Sequence, residues 1–96
     1  MHFVSKGWGF EKWIVNCDEY CGKLLYFVKD KRCSWHYHIL KDEVFYVQSG
    51  RILVRYSEDD DLNNANEIEL GPGDRFHVYR GLRHQMRALE DTELFE

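Results

Sequence analysis

Two histidines and a glutamate in this sequence have the types and spacing of a metal site. His36 and His38 stand one residue apart in "SWHYHILKDEVFYVQSG" (Ser34 to Gly50), Glu43 follows after four residues, and His84 lies far downstream. In an extended strand, residues i and i+2 share a face about 7 Å apart, so two such imidazoles can converge on one ion with bonds of ~2 Å. Ser34 and Leu40 fall on the histidines' face, and Trp35, Tyr37 and Ile39 on the other. "LKD" reads as a turn, and antiparallel pairing of the next strand would return Glu43 beside the histidines. A further ligand must then come from elsewhere. His84 opens the last expected strand and His77 is its rival, although in "RFHVY" the residues Phe76 and Val78 read as the buried face, which points His77 outward. A single histidine on an apolar face is usually packed or hydrogen-bonded, whereas two imidazoles on one face with a carboxylate returned beside them point to a metal. Nitrogen and hard oxygen donors suit one divalent Mn, Fe, Co, Ni or Zn ion per chain without choosing among them. An octahedral ion held by four protein ligands keeps two positions for substrate oxygens, as Lewis acid and template.

The elements that must position these groups read as short β-runs between polar or glycine turns. They are Lys12 to Asn16, Lys23 to Lys29, Ser34 to Leu40, Glu43 to Gln48, Arg51 to Ser57, Asn66 to Leu70, Arg75 to Tyr79 and His84 to Leu89. About eight strands rich in Val, Ile, Phe, Tyr and Trp, with no sustained helical period, predict an all-β sandwich or closed barrel. In a closed barrel, distant strands meet across the interior, so the separation of His84 from His36 is no obstacle. Strand parity lines the lumen with Phe45, Val47, Phe76, Val78 and Met86. Gly50, Gly73 and Gly81 read as turn residues; at Gly50 a tight turn favours positive φ. Trp8, Trp13 and Trp35 read as packing residues.

The histidine pattern resembles the cupin superfamily. His36-x-His38, four residues, Glu43, six residues and Gly50 match its first motif; Gly73, five residues, Tyr79, one residue, Gly81, two residues and His84 match its second. Asp30 stands where the first motif opens on glycine, Tyr79 where the second has proline, and Ala88 where it ends on asparagine. The resemblance implies one domain over residues 1–96, a small double-stranded β-helix (jelly-roll) barrel with motif 1 near 30–50 and motif 2 near 73–88. It also implies metal ligation by His36, His38, Glu43 and His84, and a homodimer. Early clustering of Phe3, Trp8, Phe10 and Trp13 supports the homodimer, since so aromatic a segment is awkward in solvent.

"KGWGFEKWIV" is similar to the opening of cupin-type phosphomannose isomerases through Trp8, Gly9 and Glu11, with Gly7 at their proline; the histidine-to-glutamate interval is longer here. That similarity implies a metal-dependent isomerase or epimerase of a sugar or sugar phosphate, with Glu69, His77 and Tyr79 as candidate bases. Arg75, Arg80 and Tyr79 are candidate substrate-binding residues, and Lys6 and Arg83 further candidates for phosphate. An Fe(II) dioxygenase of a small organic substrate and a non-catalytic metal- or ligand-binding module are the alternatives.

Composition bounds these readings. Ninety-six residues suit one small core, and 44% apolar with 16% aromatic residues argue for a folded chain. A net charge of −4 supplies no basic face for nucleic acid. No apolar run approaches the roughly 20 residues of a membrane span, and no signal-peptide h-region opens the chain, so the expected location is the cytoplasm. Cys17, Cys21 and Cys33 read as reduced thiols, with a structural metal or disulfide at Cys17 and Cys21 as the alternative. In the acidic stretch Ser57 to Glu67, Asp59, Asp61 and Asn63 alternate as in a calcium loop, but Asn64 and Leu70 occupy the template's glycine and glutamate positions, which favours a solvated turn. "GPGD" precedes no helix and is no phosphate loop.

Overall fold

The computed structural model describes residues 2–17 and 21–96 and is all-β, with nine strands among them. These are β1 (His2–Lys6), β2 (Gly9–Asn16), β3 (Cys21–Phe27), β4 (Glu43–Ser49), β5 (Ile52–Ser57), β6 (Asn66–Leu70), β7 (Arg75–Val78), β8 (Arg83–Ala88) and β9 (Thr92–Phe95). A six-stranded sheet runs β1-β2-β3-β9-β4-β7 and a three-stranded sheet β6-β5-β8, all antiparallel. This is a jelly-roll sandwich, as the strand-rich sequence predicts.

Alternation along the strands builds the core. On β4, Phe45 and Val47 are buried while Val44 and Tyr46 are exposed; on β5, Ile52 and Val54 turn inward, and on β8, Met86 and Ala88. Leu25, Phe27, Leu94 and Val78 meet them from the larger sheet. Fully burying such side chains stabilises by about 1.5–3 kcal/mol each. Phe45, Val47, Val78 and Met86 thus lie in the interior as parity predicts, with Phe76 packed against that core.

Two strands escape the sequence reading, β1 and β9, and one expected strand is not regular. Ser34 to Leu40 forms no strand and no hairpin with β4, whose partners are β7 and β9. Instead the chain after β3 follows the edge of β8 through isolated bridges Arg32↔Arg87 and His36↔His84. Between those bridges three residues, Cys33 to Trp35, oppose two, Gln85 and Met86, a one-residue slip of the bulge type that prevents a continuous ladder. The segment then bends at Ile39 and Leu40, which are 74% and 83% exposed, and crosses into the other sheet at Glu43. The hairpin expectation fails because Phe45 and Val47 are better buried in the larger sheet than beside a segment whose inward positions are histidines.

Asp30 is the one non-glycine residue with positive φ among the described residues, at 70°. It occupies the glycine position of the first motif, and aspartate tolerates the left-handed region better than most residues. Its amide donates to Ala88 O at 2.8 Å, while the neighbouring Lys29 amide donates to Asp91 Oδ1 at 2.8 Å. Gly50 has φ 87°, and a Cβ there would stand 2.3 Å from Asp91 O. Glycine is therefore required at that turn on two counts.

Candidate metal centre

The bridge between His36 and His84 is what brings the histidines together. The His36 amide donates to His84 O at 3.1 Å, and the His84 amide returns to His36 O at 2.9 Å. Directly opposed residues project to the same side, and the two rings lie 4.3 Å apart. His38, two residues on from His36, has its ring 5.0 Å from that of His36 and 5.5 Å from that of His84. One ligand atom from each of the three lies within 4.8 Å of the others. Two donors sharing an ion with ~2.1 Å bonds can be at most about 4.2 Å apart, so small ring rotations suffice.

The rings are also oriented for ligation. His36 Nδ1 lies 2.7 Å from Ser34 O, and His84 Nδ1 lies 3.1 Å from Leu82 O. Each of these two Nδ1 atoms must carry the proton to donate to a carbonyl, which leaves Nε2 of His36 and of His84 with the lone pair that a metal needs. Charge agrees. Burial, at 1% exposure, pushes His84 down to about 4, with His36 and His38 adding to the depression against the Leu82 carbonyl. His38 is lowered as well, first by burial, then by His36 and Lys41, against the pull of Glu43. Both rings are neutral at pH 7, the form that binds metal. Glu43, the first residue of β4, holds Oε2 at 3.8 Å from His38 Nε2 and Oε1 at 3.8 Å from Lys41 Nζ.

These donors form one wall of a cavity of about 240 Å³. Trp8, Leu25, Phe27, Phe45 and Met86 supply its apolar part, with Trp8 stacked on Phe27 at 4.1 Å. Trp8 is thus an internal residue and leaves the aromatic cluster offered for self-association, while Phe3 is 58% exposed. Lys6, Glu11, Lys23, Lys41 and Glu96 add charge around the cavity. Sequence reasoning missed Glu11, Lys23 and Glu96 as cavity residues; parity along β3 would have found Lys23, two residues before Leu25. Cys33 also lines the cavity, where burial pushes its thiol up and the Met86 amide donates to Sγ at 3.3 Å. Cys17 is exposed, and the alternative use of Cys17 and Cys21 turns on the Cys21 side chain, which lies outside what the structure describes.

The remaining candidates stand elsewhere. His77 points outward, as parity predicts, with Nε2 2.6 Å from Asp42 Oδ1. Tyr79 donates to Glu58 at 2.9 Å, Glu69 accepts from Arg51 at 2.6 Å, and Arg80 Nε donates to Leu40 O at 3.2 Å. Arg75 borders a separate depression with Val44 and His77. Arg83 Nε donates to Asp60 at 2.9 Å. None of these six lines the histidine cavity. The acidic stretch is a chain of local turns, with Asp59 and Asp61 each accepting the amide two residues on.

Comparison with known proteins places this geometry. The family model described as "Cupin domain" matches residues 24–95. The chain belongs to the cupin family. Its fold is similar to that of KdgF from Halomonas sp., at TM-score 0.84 and 20% identity, covering 99% of this chain and 83% of that one. A cupin-2 domain protein from Shewanella frigidimarina gives TM-score 0.69 and 24% identity over 96% and 80% of the two chains. The Drosophila melanogaster CENP-C cupin domain gives 0.83 and 14% over 98% and 71%. At these identities the likeness concerns the fold alone. A search among curated proteins finds no matching sequence. No helix of the described residues is long and apolar enough to cross a membrane.

Proposed function

We propose that this cupin is a metal-dependent enzyme in which His36, His38 and His84, with Glu43 as fourth ligand, hold a divalent transition metal, and that it isomerises or epimerises a sugar or sugar phosphate. The observation that carries the reading is the cluster of three imidazoles on the wall of a cavity, with the Nδ1 atoms of His36 and His84 tied to carbonyls. When bound, the ion would supply a Lewis acid for adjacent substrate oxygens. The chain's own residues do the rest. Trp8 and Phe27 offer an aromatic wall that excludes water and packs a sugar ring, and the lysines and glutamates offer partners for hydroxyl and phosphate oxygens. The cavity volume is below the ~300 Å³ at which drug-sized pockets begin, which suits a monosaccharide.

The test is incubation of protein loaded with Mn, Co, Ni or Zn with mannose 6-phosphate and related aldoses, followed by NMR. Appearance of the ketose or epimer is expected. Unchanged sugars, together with thermal stabilisation by them, would replace this reading with a ligand-binding module. A second copy of the chain is the expected partner, supported by the open sheet edge at β1 and exposed Phe3; a monomeric elution on gel filtration would remove it.

A further inference from the structure

The bases that the sequence suggests, Glu69, His77 and Tyr79, are engaged outside the cavity. The ends of two core strands carry another candidate. On β3, Lys23 shares a face with Leu25 and Phe27; just beyond β9, Glu96 continues the face of Thr92 and Leu94. The Lys23 amide donates to Glu96 O at 3.0 Å and the Glu96 amide to Lys23 O at 3.0 Å, so the two are directly opposed and project together into the cavity. Their side chains are 12% and 11% exposed. Taking an ion pair out of water costs several kcal/mol unless close hydrogen bonds offset it. At 3.8 Å, Lys23 Nζ and Glu96 Oε1 make no such bond. An inward carboxylate on the wall of this cavity, with its ion-pair partner too far for a hydrogen bond, is poorly explained as a structural strut.

We propose that Glu96 is the general acid–base of the cavity, positioned by Lys23, and that its substrate is a 2-hydroxy aldehyde or ketone seated against the histidine wall. This rests on the isomerase reading above. Ionised Glu96 takes the proton from the hydroxyl-bearing carbon next to the carbonyl. The C–H pair forms the carbon–carbon double bond, and the carbonyl π pair moves to its oxygen. Glu96 then returns the proton to the former carbonyl carbon while the hydroxyl proton passes to the other oxygen, converting aldose to ketose with no co-reactant. The electrostatics fit that duty. In the metal-free protein, burial and then the Glu43 charge, with Glu11, raise Glu96 to about 7 against Lys23 and Lys41.

The experiment is carried out in D₂O on the metal-loaded wild type, Glu96→Gln, Glu96→Asp and Glu69→Gln, with mannose 6-phosphate and fructose 6-phosphate as probes. Deuterium should enter the aldose at C2 in the wild type and in Glu69→Gln. In Glu96→Gln the rate should fall at least about 100-fold, with metal content and melting temperature retained, and Glu96→Asp should recover part of it. Carbon-13 NMR of glutamate-labelled, metal-free protein should show one carboxyl titrating near 7 that Glu96→Gln removes. Wild-type exchange in Glu96→Gln would overturn the role of Glu96 and leave the isomerase reading standing. A metal-loaded wild type without exchange would overturn both, and absence of the raised carboxyl would overturn the role of Glu96 whatever the metal does.

Discussion

Burial of one imidazole and one carboxyl in the same small domain sets up opposed pH dependences. In metal-free protein, His84 is lowered from 6.5 to about 4. Between those values the unfolded state binds more protons, so the stability due to neutral His84 is full above 6.5 and is lost as pH falls through 4. Glu96 is raised from 4.5 to about 7, so the folded state binds more protons. Its contribution is full below 4.5 and is lost as pH rises through 7. At about 1.4 kcal/mol per unit, each group accounts for roughly 3 kcal/mol over nearly the same window, with opposite sign. His38, lowered mainly by burial, acts in the direction of His84. The two large contributions therefore mask each other in the wild type, and single variants should unmask them. Urea unfolding of chelator-treated protein from pH 7.5 to 4.5 reads the effect, with the wild type subtracted at each pH so that other carboxylates cancel. Relative to wild type, Glu96→Gln should lose roughly 3 kcal/mol on acidification across the window, and His84→Gln should gain about as much. Differences flat with pH to within about 0.5 kcal/mol, the precision of such extrapolations, would refute the burial argument for that residue.

Backbone positions give two further tests by thermal denaturation. Gly50→Ala forces a Cβ to 2.3 Å from Asp91 O at φ 87° and should destabilise by about 3 kcal/mol; a change below about 1 kcal/mol would mean the turn relaxes freely. Asp30→Gly relieves positive φ at 70° and should stabilise by up to about 1 kcal/mol, less the entropy that glycine gains in the unfolded chain; a loss of stability would show that the aspartate side chain holds the turn.

The sequence carried the all-β class and the approach of His36, His38 and His84, because period-2 alternation and i, i+2 spacing survive an irregular backbone. It did not carry the route. Ser34 to Leu40 alternates like a strand, yet a one-residue slip against β8 and a bend at Ile39 replace the hairpin, and which sheet a segment joins is decided by non-local packing. β1 and β9 are short, and "HFVSK" and "TELF" carry too little pattern to stand out. His77 could be set aside by parity alone. Glu96 could not be found that way, since its inward face depends on pairing with Lys23, a contact between distant parts of the chain.

Elemental analysis tests most directly whether the three imidazoles hold a metal ion. Wild-type protein, supplied with divalent transition metals and then desalted, should carry a single ion per chain, and the His36→Ala/His38→Ala variant should carry none while retaining its β-sheet spectrum. Equal metal in both, or none in a folded wild type, would contradict the account.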